Sequence, residues 1–196
     1  MSKTSVARSE LILGGQKSGK SRRAEWIARQ WLEADAVHHA VLVATAQAWD
    51  AEMAERIARH QRDRAARAPG LATVEEPRAL AETVARLSQP GTLVVVDCLS
   101  LWLTNLLMPA DPQSTPAPDA ALASTRLAEA VCAACGPVVL VSNEIGLGVI
   151  PMGREVRAFV DALGRLNQDL AQACSRVTLM AAGLPLSLKD EGHDAG

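Results

Sequence analysis

Short apolar runs alternate along the chain with longer stretches in which apolar residues recur at helical spacing. The first run, residues 11–13, leads into Gly14-Gly15, and a helix is expected over 20–33, where Ala24, Ile27, Ala28, Trp31 and Leu32 share a face. A continuous apolar run at 40–44 has the character of a strand buried on both faces. Asp50 can cap a helix reaching Ala66, Pro69-Gly70 breaks it, and Pro77 opens another helix to Leu87. The strongest strand, 92–96, is closed by Asp97 and followed by a helical stretch over 99–107. After an irregular, proline-containing segment at 109–119, a helix is expected to run to Cys135 and to stop at Gly136-Pro137. A strand at 138–141 leads into Ser142-Asn143-Glu144. A long helix over 154–174 and a strand over 177–181 complete the pattern, and residues 1–8 and 190–196 are expected to be disordered.

Strands that alternate with helices imply an α/β fold, a mostly parallel sheet flanked by helices, here within a single domain spanning 1–196. Right-handed crossovers would bring the loops after the strands to one edge, where ligands of such sheets bind. Gly14, Thr45, Asp97, Asn143 and Glu144 all fall at that edge. No internal repeat interrupts the pattern.

Composition narrows the picture. A net charge of −2 gives no electrostatic case for nucleic acid or an anionic membrane as partner. Met1 to Glu10 lacks the apolar core of a signal peptide, and no apolar run approaches the ~18 residues of a membrane span. The expected compartment is a reducing cytoplasm. Cys132 and Cys135 form a CxxC without a second ligand pair, which reads as an alanine-rich helix end rather than a metal or redox centre.

The segment Gly14, Gly15, Gln16, Lys17, Ser18, Gly19, Lys20, Ser21 matches GxxxxGK[ST] between a strand and a helix. Glycines let the backbone wrap phosphates so that its amides point inward, and the helix N-terminus adds partial positive charge. Lys20 would reach the β- and γ-phosphates of ATP or GTP, and the Ser21 hydroxyl would bind Mg²⁺. Asp97, at the end of an apolar strand, is placed to hold Mg²⁺ directly or through water; its bland alternative is a cap for the next helix. Neither an NKxD motif nor a DxxG after Asp97 is present, which disfavours a switch-type GTPase.

Met53, Ile57, His60 and Arg64 lie at spacings that share one helix face, so His60 is expected to continue an apolar stripe and to point toward protein or ligand. It reads either as a hydrogen-bonded histidine at the margin of the core or as a nucleophile toward phosphorus. Arg56, Arg59, Arg62 and Arg64 crowd the same helix and can serve a triphosphate or form a solvated face. Asn143 and Glu144 read equally as a polar turn or as substrate contacts.

The segments GGQKSGKS, EMAERIARH, TVEEP, DCLSLWLTNLL, SNEIGLGVIP and GRLNQDLA occur in that order between Gly14 and Ala171. Together they resemble the bifunctional adenosylcobinamide kinase/adenosylcobinamide-phosphate guanylyltransferases of cobalamin biosynthesis. The resemblance covers most of the chain and implies a RecA-like P-loop NTPase fold. It also implies two activities: phosphorylation of adenosylcobinamide by ATP or GTP, and transfer of GMP from GTP through a guanylylated histidine to adenosylcobinamide phosphate. That histidine falls on His60. Nucleotide-binding positions fall on Gly14 through Ser21, on Ala44, Thr45 and Ala46, on Gln61, Arg62 and Asp63, on Glu75 and on Asp97, and relatives assemble as homotrimers. The chain departs from the family between Arg64 and Leu71, which is longer and lacks the usual Trp, and at Asp97, where Glu is common. Beside this reading stand a P-loop small-molecule kinase with a structural His60, and a nucleotide-binding regulator without catalysis.

Overall fold

The computed structural model describes residues 6–48, 50–108, 119–149 and 151–191. Among the described residues, seven strands form one sheet in the order β3-β2-β4-β5-β1-β6-β7. They are β1 (Ser9–Gly14), β2 (His39–Ala44), β3 (Leu71–Glu75), β4 (Thr92–Asp97), β5 (Val138–Val141), β6 (Arg176–Ala181) and β7 (Leu184–Asp190). The helices are α1 (Lys20–Ala34), α2 (Ala51–Arg67), α3 (Leu80–Leu87), α4 (Leu99–Leu107), α5 (Ala120–Ala133) and α6 (Arg154–Ala173). All strand pairs are parallel except β6–β7. The expected mostly parallel α/β sheet is therefore what forms.

The continuous apolar runs bury both faces because side chains alternate across a strand. Leu11, Leu13, Val94, Val96, Val138 and Leu140 join α3, α4, α5 and α6 in one core. Ile12, Leu42, Leu93, Val95, Val139 and Val141 join Ala24, Ile27 and Ala28 of α1 in the other.

Two strands and one boundary differ from expectation. β3 is a partly exposed edge strand whose LATVE sequence carries too few apolar residues to stand out. β7 is the opposite edge, and Asp190, expected in a disordered tail, closes it through a bidentate ion pair with Arg176. Pro185 obscured this strand in the sequence, because proline is tolerated only at sheet edges. The helix expected to open at Pro77 begins at Leu80: the Glu76 carboxylate accepts from the Arg78 and Ala79 amides and holds 76–79 as a turn. The irregular segment at 109–118 and the outermost termini, 1–5 and 192–196, lie outside the described residues.

Candidate active site

The register of the sheet sets the site. Ala44 pairs with Glu75 on one side and with Asp97 on the other, Asp97 pairs with Val141, and Val141 pairs with Ile12. Glu75, Ala44, Asp97 and the entry to the glycine-rich loop thus form one row at the C-terminal edge of the strands. β5 lies between β1 and β4, so Asp97 stands two strand spacings from the loop, about 10 Å in the sheet plane.

The loop departs from β1 at Gly14, with φ 151°, and enters α1 at Gly19, with φ 102°. A Cβ on Gly14 would lie 2.5 Å from the Met180 carbonyl oxygen, so only glycine fits there. Lys17 adopts a left-handed φ of 56°. From the far side, the β6–β7 turn supports the loop, its Gly183 amide donating to the Ser18 carbonyl at 3.0 Å. The Ser18 hydroxyl is buried with no hydrogen-bond partner among the described residues.

Lys20 is buried, and its ammonium donates to the Gly15 carbonyl at 2.7 Å. Burial lowers its pKa from the ordinary 10.5, and the neighbouring Cys98 and Asp97 oppose that shift. Ser21 and Asp97 are both partly exposed, offering a hydroxyl and a carboxylate oxygen toward the same edge. Mg²⁺ takes few protein ligands beside the phosphate oxygens of its nucleotide, and this hard-oxygen pair fits that need. Among the described residues no cluster of three or more His, Cys, Asp or Glu could hold a metal. Cys132 and Cys135 are exposed free thiols just at the end of α5.

Polar contacts fix the floor around Asp97. The fully buried Thr45 donates its amide to the Asp97 carbonyl. Its hydroxyl donates to the Cys98 carbonyl at 2.7 Å and accepts from the Cys98 amide at 2.9 Å, across a cis Asp97–Cys98 peptide. The Asn105 side-chain amide donates to the carbonyls of Thr45 and Pro77. On the other side of β4, Asn143 donates to the Ser100 hydroxyl, Asn167 donates to the Asn143 carbonyl, and Ser142 donates to Asn167. The Glu144 amide donates to the Gly14 carbonyl, tying this loop to the phosphate loop. Asn105, Ser100 and Asn167 carry no role in the sequence reading. The signal was a polar residue on an otherwise apolar helix face, as Asn105 is between Leu103 and Leu106.

α2 departs from the expected picture. Asp50 caps it, its carboxylate accepting from the Met53 amide, but His60 is exposed rather than turned toward the core. Met53 and Ile57 are half-buried, and Arg64 alone of that stripe is buried. Gln61, Arg62 and Asp63 are exposed, as is Glu75 at the end of β3; Ala46 is half-buried beyond Thr45. The structure thus gathers Gly14 through Ser21, Ala44, Thr45, Glu75 and Asp97 at one edge, and carries His60, Gln61, Arg62 and Asp63 on a separate, mostly solvated helix.

A family model described as cobinamide kinase / cobinamide phosphate guanyltransferase matches residues 10–188. The chain belongs to that family. Its sequence is 47% identical to the bifunctional adenosylcobalamin biosynthesis protein CobP of Pseudomonas aeruginosa, over 93% of this chain and 98% of that one. It is 35% identical to the bifunctional adenosylcobalamin biosynthesis protein CobU of Escherichia coli, over 91% and 98%. In fold it is similar to the flagellar accessory protein FlaH of Methanocaldococcus jannaschii, with a TM-score of 0.50 at 12% identity, covering 94% of this chain and 79% of that one. An ATPase domain of solved structure is similar too, with a TM-score of 0.50 at 15% identity, covering 88% and 69%. These two likenesses concern the fold, that of a P-loop NTPase; the family match concerns the enzyme. Among the described residues no helix is long and apolar enough to cross a membrane.

Proposed function

We propose that this family member acts as a cytoplasmic homotrimer with both activities of a cobinamide kinase and cobinamide-phosphate guanylyltransferase, the second through His60. In the first reaction the terminal hydroxyl oxygen of adenosylcobinamide attacks the γ-phosphorus of ATP or GTP, the nucleoside diphosphate leaves, and the hydroxyl proton is released. Gly14, Gly15, Gln16, Lys17, Ser18 and Gly19 wrap the phosphate chain, and Lys20 neutralises charge on its distal oxygens. Ser21 and Asp97 would hold Mg²⁺, which when bound supplies further charge neutralisation on the β- and γ-phosphates.

In the second reaction an imidazole nitrogen of His60 attacks the α-phosphorus of GTP, and the bond to pyrophosphate breaks. A phosphate oxygen of adenosylcobinamide phosphate then attacks the same phosphorus, the histidine nitrogen leaves, and adenosylcobinamide-GDP is formed. Splitting the transfer in this way gives ping-pong kinetics. An exposed histidine suits a group that must accept a nucleotide and then a bulky corrinoid. Ala44, Thr45, Ala46, Gln61, Arg62, Asp63, Glu75 and Asp97 surround the nucleotide in this reading.

The observation that carries it is the buried Lys20, held on the phosphate loop by its bond to the Gly15 carbonyl, in a chain of this family. Incubation with GTP labelled at the α-phosphate is expected to give an acid-labile, base-stable protein adduct that His60→Ala lacks. Lys20→Ala is expected to slow phosphorylation of adenosylcobinamide by ~10²–10³-fold, the scale of losing one charge-stabilising donor. A parent protein that forms no adduct would leave only the kinase half standing.

A further inference from the structure

Glu25 has no part in either reaction as described, yet it is a carboxylate 4% exposed on the helix that the phosphate loop opens. It lies one helical turn beyond Ser21 and faces α2 rather than solvent. The Arg67 guanidinium, in the last turn of α2, donates to it at 3.1 Å. The same guanidinium reaches Asp63 at 3.2 Å, one turn back along α2. Burial raises the pKa of Glu25 above its ordinary value, and the Arg67 guanidinium opposes that shift.

What else holds α2 is limited. Among the described residues of its seventeen positions, Arg64 is the one buried side chain, while α1, α4 and α6 each bury several. A helix without a buried apolar stripe gains little from the hydrophobic effect, so its placement depends on its polar contacts. A buried carboxylate beside the Arg67 guanidinium is such a contact, and removing Arg67 leaves the Glu25 charge poorly compensated.

The placement matters because of where His60 lies. α1 and α2 follow β1 and β2 away from the same edge of a parallel sheet, so they run in the same sense. From the Glu25–Arg67 contact, five residues back along α1 reach Lys20, about 7.5 Å of helix rise. Seven residues back along α2 reach His60, about 10.5 Å of rise. The contact therefore carries His60 at nearly the height of the phosphate loop.

The geometry points to Glu25 as a positioning residue for the guanylyl-transfer step, acting through Arg67 to set α2, and with it His60, relative to the phosphate loop. This rests on the proposed role of His60. Glu25 is buried against α2, and the kinase step, which uses Lys20 on α1 itself, does not need the contact.

Glu25→Gln, Arg67→Met, Arg67→Lys and the Glu25→Gln/Arg67→Met double variant, each first checked for a parent-like unfolding transition, test this by two readouts. In single turnover at saturating GTP, Glu25→Gln and Arg67→Met are each expected to slow formation of the histidine adduct about tenfold or more, the scale of one charge-assisted hydrogen bond. Kinase turnover should stay near that of the parent, Arg67→Lys should recover part of the loss, and the double variant should be no slower than the slower single one. In amide hydrogen exchange, peptides from α2 should exchange faster in Glu25→Gln while those from β4 do not change. Parallel loss of both activities, independent multiplication of the two single effects, or unchanged exchange in α2 would overturn the inference. A parent that makes no adduct removes the role of His60 instead, and the exchange comparison then still decides whether Glu25 anchors α2.

Discussion

Lys20 shows how one residue can be made ready for a ligand. Its ammonium is buried against the Gly15 carbonyl, and burial lowers its pKa from 10.5. Between that lowered value and 10.5 the unfolded chain holds a proton that the folded chain lacks, so stability rises with pH across this window. Below the window the folded protein bears the cost of a buried charge. Phosphates arriving at the loop supply the missing counter-charge and favour the ammonium again. Nucleotide binding at alkaline pH is therefore expected to take up a fraction of a proton, seen calorimetrically as a binding enthalpy that differs between buffers of unlike ionisation enthalpy. Lys20→Met should remove that buffer dependence, and a buffer-independent enthalpy in the parent would contradict the idea. The glycine-rich motif made Lys20 legible in the sequence, because the motif specifies backbone geometry and chemistry together. His60 was less so: helical spacing gave its face, but Met53 and Ile57 bury too little to turn that face inward.

At the scale of elements, the central strands and most helices were legible because their patterns are extreme. A run such as 93–96 can only be a strand buried on both faces, and its odd and even positions indeed enter different cores. The edges β3 and β7 were not legible, since an edge strand needs neither a continuous apolar run nor freedom from proline. The glycines separate in the same way. At Gly136, which starts the approach to β5, a Cβ would stand 2.0 Å from the Gln89 carbonyl oxygen and 2.4 Å from that of Thr92. Both are backbone atoms that cannot step aside, so Gly136→Ala is expected to destabilise by about 1–3 kcal/mol or more. Within α6, a Cβ at Gly164 would meet nothing within 4 Å. Glycine in a helix interior costs up to about 1 kcal/mol relative to alanine, so Gly164→Ala is expected to stabilise by that amount or less. Urea unfolding of the two variants checks both signs, and equal effects would show that the surroundings of these glycines are misjudged.

For the whole molecule, the phosphate half of the site could be read from sequence because parallel topology delivers strand ends to one edge. The anchoring of α2 could not, since Glu25 and Arg67 are 42 residues apart and pair only once the helices are in place. The surface raises a further question of scale. Leu184, Leu186 and Leu188 lie on one face of β7 at 71, 57 and 55% exposure, and Leu147, Val149 and Met152 exceed 80%. Leu186 sits opposite Leu179, which packs against the core, so the exposed β7 leucines extend an apolar face at the sheet edge. Exposed apolar side chains in such number favour assembly over an isolated chain. The homotrimer is accordingly expected to appear in sedimentation equilibrium as three times the 20.7 kDa chain mass, and a single-chain mass at micromolar protein would refute it. The chain has four Trp, one Phe and no Tyr with which to cover so large a ring as a corrin, so subunit interfaces are expected to contribute to holding it. Apparent affinity for adenosylcobinamide should then weaken as dilution dissociates the trimer. An affinity that stays constant through dissociation would place the whole corrinoid site within one chain.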